Sequence, residues 1–282
     1  MTKRFHLTKK IIKKIISFCW PASNEKGISI IYYHSINPSS ERGINPVLFK
    51  EHVEWLKENF EIIDLSALEK LLVSNFTNSN EIFDREKVMI TFDDGYEDNY
   101  LYAYPILSEL NIPATIFFVP GFAGKLPPVS SGMYKGCKML SWKQLREMQR
   151  NGFSIQAHTY SHVDLTKLER GEIVNELIFC KNAIEQNLSK EVFAIAYPWG
   201  KFSHEVLHIA ESIGYRIGFS TLYGKIINDS NTNIMRLPRL IVDSDDSVNI
   251  LENKIAGKYG FLRLKQQISI TKTSLEKSKK RK

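Results

Sequence analysis

Short apolar runs alternate with amphipathic stretches along most of this chain, and this alternation restricts the possible folds more than any other feature. Runs such as residues 28–33 and 88–92 have the length and the β-branched and aromatic content of buried strands. The stretches between the runs place apolar residues three and four positions apart, as helices do. Strands that alternate with helices are typical of an α/β fold with a largely parallel sheet. Because neither a repeat nor a low-complexity linker divides the chain, we expect a single domain.

The same patterns set the bounds of most elements. Strands are predicted at residues 28–33, 61–64, 88–92, 114–119, 154–157, 193–196, 216–220 and 235–240. Helices are predicted at residues 46–59, 66–73, 100–110, 141–151, 169–188 and 203–212. Residues 125–136 contain two adjacent prolines and several small residues, so we expect a loop there.

Composition and charge exclude several classes of protein. Of the 282 residues, 43% are hydrophobic and 24% are charged, which excludes a disordered or fibrous protein. The formal net charge of +7 is concentrated at the ends, since residues 1–14 carry six basic and no acidic side chains, and residues 265–282 carry seven basic and one acidic. The interior is therefore mildly acidic, which argues against a groove for nucleic acid. We expect no nucleic-acid partner, and nucleic-acid binding is the weakest alternative function.

The charge pattern also divides the chain into three parts: a basic amphipathic segment at 1–26, the folded domain at 27–264 and a basic tail at 265–282. Segment 1–26 spaces isoleucines as a helix would, among lysines, so it either contacts a membrane surface or packs on its own domain. We find neither a signal peptide nor a membrane span. We expect a cytoplasmic location or peripheral contact with the cytoplasmic membrane. If segment 1–26 is a weak export signal, the cell envelope becomes the location.

Polar side chains follow four of the predicted strands at their C-terminal ends. They are His34 after the first strand, Asp93 and Asp94 after the third, His158 after the fifth, and Tyr197 with Pro198 after the sixth. The C-terminal ends of parallel strands meet at one edge, and this edge carries the active site in α/β folds. We therefore expect these residues to converge on one site.

The motif TFDDGY at residues 91–96 places two carboxylates side by side after a buried strand. Like charges this close raise one pKa unless a cation or hydrogen-bond donors offset them. A metal would resolve the repulsion if one carboxylate binds it and the other acts as a general base, while Gly95 allows a tight turn. The alternative is a solvated turn with an aspartate that caps a helix.

The motif HTYSH places His158 and His162 four residues apart. On a helix or tight turn, this spacing brings both imidazoles to one side, within reach of one metal ion. Thr159 stands where the zincin motif HExxH requires glutamate, so that class of protease is excluded. The three cysteines lack Cys-x-x-Cys spacing, so a thiolate zinc site is not expected. Asp94 would complete a site of two histidines and one carboxylate, although a purely structural histidine pair stays possible.

These motifs together resemble the polysaccharide deacetylases of carbohydrate esterase family four, whose shared unit is the NodB homology domain. TFDDGY and HTYSH resemble the first two family motifs, AYPWG at 196–200 resembles the third, and LSWKQL at 140–145 resembles the fourth. The resemblance extends from about residue 27 to residue 241. It implies a distorted (β/α) barrel of about seven parallel strands.

The resemblance also implies roles for single residues. Asp93 would be the general base, and Asp94, His158 and His162 would bind a divalent metal, Zn²⁺ first and Co²⁺ or Ni²⁺ as alternatives. The backbone N–H of Tyr197, followed by Pro198, would stabilise an oxyanion.

The general acid is where this chain departs from many family members, which use a late histidine. No histidine follows His208 here. IYYHSI at 31–36 resembles an early motif of the branch that deacetylates poly-N-acetylglucosamine, and this implies His34 as the acid. Arg239 could replace the arginine that usually precedes the third motif, or could be a plain surface or salt-bridging arginine. Trp142 could line a sugar-binding mouth or belong to the core.

The function expected from these residues is a metal-dependent hydrolase that removes N-acetyl groups from an amino sugar in a polysaccharide or glycolipid. An O-acetyl esterase or a hydrolase of a small amide could use the same site, because a metal centre does not encode the leaving group. A catalytically silent glycan-binding relative is the alternative from a different class.

Overall fold

The computed structural model describes residues 20–23, 26–39, 43–75, 86–128, 136–227, 232–263 and 266. One sheet holds eight strands in the order β7-β6-β5-β4-β3-β1-β8, with β2 beside β3, and all of these strand pairs are parallel. The strands are β1 (Ile28–Tyr33), β2 (Glu61–Ile62), β3 (Lys87–Phe92), β4 (Thr115–Phe118), β5 (Ser154–Ala157), β6 (Ala194–Ala196), β7 (Ile217–Phe219) and β8 (Leu240–Ile241).

The sheet curls into a distorted barrel, which confirms the predicted α/β fold of about seven parallel strands in one domain. Residues 237–241 join its two edges, because Leu237 forms a parallel bridge with Phe219 of β7, and β8 pairs with β1. Helices cover the outside of the curl. The α-helices are α1 (Pro46–Asn59), α2 (Leu65–Asn75), α3 (Tyr104–Glu109), α4 (Trp142–Arg150), α5 (Arg170–Leu188), α6 (His204–Ile213) and α7 (Val248–Ile255).

Side chains on the two faces of the sheet belong to two separate hydrophobic clusters. Ile30 of β1 and Phe117 of β4 belong to the cluster that β6 and β7 also enter, whereas their neighbours Ile31 and Ile116 pack with residues of the surrounding helices. Successive residues of a strand point to opposite faces. The nearly continuous apolar sequence of the strands follows from this burial on both sides.

The prediction of a strand at 235–240 is wrong over most of its length. A 3₁₀ turn at Ile234–Arg236 occupies its first two residues, and only Leu240 at its end enters β8. The side chain of Asn233 accepts a hydrogen bond from the N–H of Met235 and so caps this turn. Pro238 then lacks the N–H that a strand ladder requires.

The predicted helix at 100–110 divides into two pieces. A π-helix spans Asn99–Ala103 and α3 follows it. Pro105 has no N–H to donate within the helix, and the N–H of Tyr104 bonds to Asn99 O, five residues back. Helix α7 was not predicted. The 1–26 helix and the 265–282 tail lie outside the described residues except at 20–23, 26 and 266, and no helix in the described part is long and apolar enough to span a membrane.

Strand register brings the polar residues of the strand ends together. Tyr33 of β1 pairs with Phe92 of β3, so the next residues, His34 and Asp93, leave the sheet side by side. The N–H of Asp93 donates to Tyr33 O at 2.9 Å, which extends the ladder by one residue. The strand ends are therefore a rigid frame for the side chains that follow them.

The turn after β3 needs glycine at residue 95. Asp94 and Gly95 both have positive φ, 71° and 81°. A Cβ on Gly95 would lie 2.5 Å from the ring of Phe118, in β4. Both the backbone and the neighbouring ring therefore exclude a side chain at this position.

We expect Gly95→Ala to destabilise the protein more than Gly152→Ala does. Gly152 has a similar φ of 89°, but a Cβ added there would meet nothing within 4 Å, so it reports the backbone strain alone. Both variants lose about 1 kcal/mol from the backbone, and Gly95→Ala loses roughly 1–3 kcal/mol more from overpacking. Urea unfolding of the two variants measures the difference. Equal losses would show that the ring of Phe118 moves away freely.

Candidate active site

Three buried side chains, those of Asp94, His158 and His162, converge beyond the C-terminal ends of β3 and β5. Asp94 Oδ1 lies 3.3 Å from the Nε2 atoms of both histidines. One ligand atom from each residue lies within 4.8 Å of the other two. Two imidazole nitrogens and one carboxylate oxygen at this spacing suit a divalent transition metal, with coordination positions left for water or substrate.

The orientation of His158 supports this use. Its Nδ1 lies 2.7 Å from the carbonyl oxygen of Ala196, in β6. A carbonyl can only accept, so Nδ1 donates to it and Nε2 is the ring nitrogen that faces Asp94. A backbone carbonyl that fixes the tautomer in this way is common behind metal-binding histidines. The donor set therefore fits a metal ion.

The loop that carries both histidines is not helical. Thr159 and His162 have positive φ, 61° and 56°, so the chain doubles back between the two rings. Ser161 ties the loop to α5, since its N–H and its hydroxyl donate to Glu176 at 2.9 and 2.6 Å. The spacing of four residues brings the imidazoles together, and their ring centroids lie 5.1 Å apart.

Burial and hydrogen bonding act in opposite directions on Asp94. Burial alone raises the pKa of its carboxyl, but the contacts with His158 and His162 outweigh this effect and hold the pKa well below its usual range. The charge of His34 acts in the same direction. Asp94 is therefore ionised, as a metal ligand must be.

Asp93, the residue before Asp94, pairs with a buried arginine. Both of its carboxylate oxygens accept hydrogen bonds from Arg239 at 2.7 Å. Arg239 is only 1% exposed and also donates from Nε to the carbonyl of Ser220. Burial raises the pKa of Asp93, but the interactions with Arg239 and His158 lower it by more, so the net shift of the pKa is downward. Arg239 is thus a buried partner of Asp93, and the surface alternative for it is wrong.

His34 lies half-buried beside these carboxylates. Its ring packs edge-on against Tyr32, with centroids 5.6 Å apart, and the guanidinium of Arg239 lies 4.3 Å from the centroid of the same tyrosine ring. Its charge lowers the pKa values of both Asp93 and Asp94. The structure therefore brings His34 to the same edge as the other predicted site residues.

The structure contradicts the assignment of the Tyr197 N–H as the oxyanion donor. That N–H donates to the carbonyl of Phe219 at 3.0 Å and continues the β6–β7 ladder. Its side chain is fully buried, and Pro198 is buried behind it. The N–H of Tyr197 cannot bind substrate because the strand ladder uses it, and the side chain of Tyr197 cannot because the core encloses it.

Trp142 and Trp199, the tryptophans of the fourth and third motifs, take different positions. Trp142 is half-buried, and its ring packs on Phe118, the residue that also confines Gly95. This matches the core alternative. Trp199 has a positive φ of 55°, is 45% exposed, and its ring centroid lies 4.6 Å from that of His162. Trp199 therefore forms an exposed aromatic wall beside one histidine of the Asp94–His158–His162 cluster.

Sequence reasoning missed two residues that bind the segment carrying His34. Asp98 and Asn99 closely follow TFDDGY and form hydrogen bonds with residues 34–36. The apolar pattern starts a helix only at residue 100, so neither residue belongs to a predicted element. Two consecutive polar residues just after a catalytic motif were the available signal.

Comparison with known proteins matches this architecture. The model of the family described as polysaccharide deacetylase matches residues 80–218. YxkH of Bacillus subtilis (strain 168), which is named for the same family, is 30% identical over 204 residues, 72% of this chain and 67% of that protein. Poly-β-1,6-N-acetyl-D-glucosamine N-deacetylase of Staphylococcus aureus (strain MRSA252) is 27% identical over 225 residues, 77% of this chain and 73% of that protein.

Solved structures show the same fold. The Streptococcus pyogenes deacetylase PplD, in complex with acetate, aligns with a TM-score of 0.68 at 26% identity, over 82% of this chain and 99% of that one. IcaB from Ammonifex degensii aligns with a TM-score of 0.69 at 21% identity, over 84% of this chain and 97% of that one. With motifs, barrel and relatives in agreement, the chain belongs to the polysaccharide deacetylase family.

Proposed function

We propose that this protein is a metal-dependent hydrolase that removes N-acetyl groups from N-acetylglucosamine units of a polysaccharide or glycolipid. The observation that carries the proposal is the buried cluster of Asp94, His158 and His162 next to the ion pair of Asp93 with Arg239. The similarity to the S. aureus N-deacetylase makes β-1,6-linked N-acetylglucosamine the first polymer to test.

The metal would be held by Asp94, His158 and His162. We propose Zn²⁺, with Co²⁺ and Ni²⁺ as alternatives that suit the same imidazole and carboxylate ligands. A divalent cation at this position would supply positive charge to polarise the acetyl carbonyl and to acidify water. The ring of Trp199, which lies beside that of His162 and is 45% exposed, would stack on a sugar face.

Asp93 would accept the proton of the attacking water. Its lowered pKa keeps the carboxylate ionised at neutral pH, and the bidentate contact with Arg239 fixes its orientation. A base that is already charged and oriented loses little entropy when the reaction begins. His34, at the same edge, would return a proton to the leaving amine.

Removal of the metal or of one metal ligand should abolish acetate release. We expect chelation, or Asp94→Ala, to lower the rate on β-1,6-linked N-acetylglucosamine oligomers by at least about a hundredfold, and Zn²⁺ or Co²⁺ to restore the chelated wild type only. His208→Ala, an exposed histidine on α6, is the control and should keep the full rate. Enzymatic detection of the released acetate measures the rate of each protein.

Two results would contradict this proposal. Full activity of the metal-free protein would remove the metal from the mechanism. A protein that binds metal but releases no acetate from sugar amides would favour an O-acetyl ester, a small amide or a silent glycan-binding role.

Loss of Arg239 should destabilise the protein far more than loss of an exposed arginine. Arg239→Met leaves the carboxylate of Asp93 buried without its partner, which costs about 3–5 kcal/mol of unfolding free energy. Arg216→Met is the control: Arg216 also pairs with carboxylates, Glu69 and Glu191, but is 45% exposed, and its loss should cost about 0–1 kcal/mol.

A double variant separates charge from packing. Asp93→Asn with Arg239→Met removes both charges and should recover part of the loss, because no unpaired buried charge remains. Urea unfolding measures all variants. If the double variant is as unstable as Arg239→Met alone, the arginine acts through packing on Tyr32 and Phe117, and not through Asp93.

A further inference from the structure

Two consecutive side chains, Asp98 and Asn99, hold the segment that carries His34. Asn99 Nδ2 donates to the backbone carbonyl of His34 at 2.7 Å. Asp98 Oδ2 accepts from the Ser35 hydroxyl at 2.5 Å, and its Oδ1 accepts from the N–H of Ile36 at 3.3 Å. We call Asp98, Asn99 and these three bonds the 34–36 clasp.

The clasp is internally braced and buried. Asn99 Nδ2 also donates to Asp98 Oδ1 at 3.2 Å, so both of its acceptors fix the orientation of the amide. Asn99 is fully buried, Asp98 is 7% exposed and Ser35 is 2% exposed. Asn99 also begins the π-helix, and π-helical turns are frequently found at functional sites. Asn99 Oδ1 has no hydrogen-bond partner among the described residues, but the paired groups of this buried network restrict the backbone to one conformation.

A carboxylate is an expensive choice for this position if folding were its only purpose. Burial raises the pKa of Asp98 to about 6, despite the hydrogen bonds from Ser35 and Ile36 that lower it. The same loop already has another anchor, because Ile44 N–H donates to Ser35 O and Asn37 N–H donates to Ile44 O. The fold of the loop therefore does not depend on the clasp alone, and the clasp adds a constraint on the peptide of His34 itself.

We propose that Asp98 and Asn99 are positioning residues that hold His34 in place as the proton donor to the leaving amine. This inference rests on the proposed function, which assigns the acid role to His34. As the bond between the acetyl carbon and nitrogen breaks, its electron pair passes to nitrogen and the imidazolium of His34 supplies the proton. Asp93 has taken one proton of the water and the other stays on the new carboxyl group, so the products are the amine and acetic acid, which ionises to acetate. Solvent exchange then removes the proton from Asp93 and returns one to His34.

The proposal predicts a loss that depends on the leaving group. An amine must be protonated to leave, whereas 4-nitrophenolate leaves from 4-nitrophenyl acetate without a proton. A displaced general acid therefore slows the amide and spares the aryl ester. Misplacement of a catalytic group by about 1 Å can cost about a hundredfold in rate.

The experiment compares both substrates on metal-loaded full-length protein. For Asn99→Ala we expect kcat on N-acetylglucosamine oligomers to fall about 10- to 100-fold with KM little changed, and the rate on 4-nitrophenyl acetate to fall less than about threefold. Asp98→Ala should have the same effect as Asn99→Ala. Asp98→Asn can keep the contacts with Ser35, Ile36 and Asn99 and should retain most of the amide rate. Asn187→Ala is the matched control, since its Nδ2 also donates to a backbone carbonyl, that of Ala183 on α5.

His34→Ala separates the two hypotheses. If it lowers the amide rate selectively but the clasp variants leave the amide-to-ester ratio unchanged, the positioning role is refuted and the proposed function stands. If His34→Ala lowers both rates equally, His34 is not the acid, and both the acid assignment and this inference fail. Equal loss on both substrates in the clasp variants alone means that the clasp is only structural. If Asn99→Ala does not fold, Asn99→Ser makes the same comparison.

Discussion

Burial of two adjacent carboxylates at the end of β3 is the constraint on which the rest of the site depends. Asp93 is 3% exposed and Asp94 is 4% exposed, so neither is stabilised by solvent. The two carboxylates have different partners. Arg239 donates two hydrogen bonds to Asp93, and the imidazoles of His158 and His162 face Asp94. A buried charge is tolerated only when such partners are present.

The turn that makes this separation possible is itself strained. Asp94 has φ of 71°, and Thr159, His162 and Trp199 on the facing loops also have positive φ. Non-glycine residues rarely adopt this conformation, and it persists where surrounding structure imposes it. Here the frame is the sheet, because each of these loops leaves directly from the C-terminal end of a strand. The strain and the charges lie in the same few residues, so local stability has been exchanged for a fixed arrangement of functional groups.

The fold could be predicted where apolar pattern alone decides structure. β1, β5 and α1 have the predicted bounds. In each of them the apolar residues follow one pattern, that of a strand or that of a helix, from one flanking turn to the next. Prediction failed at 235–240, where a side-chain cap and a proline override apolar content, and at 100–110, where Pro105 divides the helix. The motif residues of the site could be placed at one edge because they follow strands. The 34–36 clasp could not be predicted, since its bonds join residues about 65 positions apart. The hydrogen bond of the Tyr197 N–H could not be predicted either, because it depends on the pairing of β6 with β7.

The position of His34 follows from sheet order. β1 lies between β3 and β8, so the residue after β1 is flanked by Asp93 on one side and by the chain that follows β8 on the other. Tyr32 packs against both Arg239 and His34, so the partner of the base and the ring of the histidine share one support. A histidine late in the chain would have to reach this edge from a separate loop. A histidine after β1 is placed there by the strand register itself, and only its peptide needs further restraint, which Asp98 and Asn99 provide.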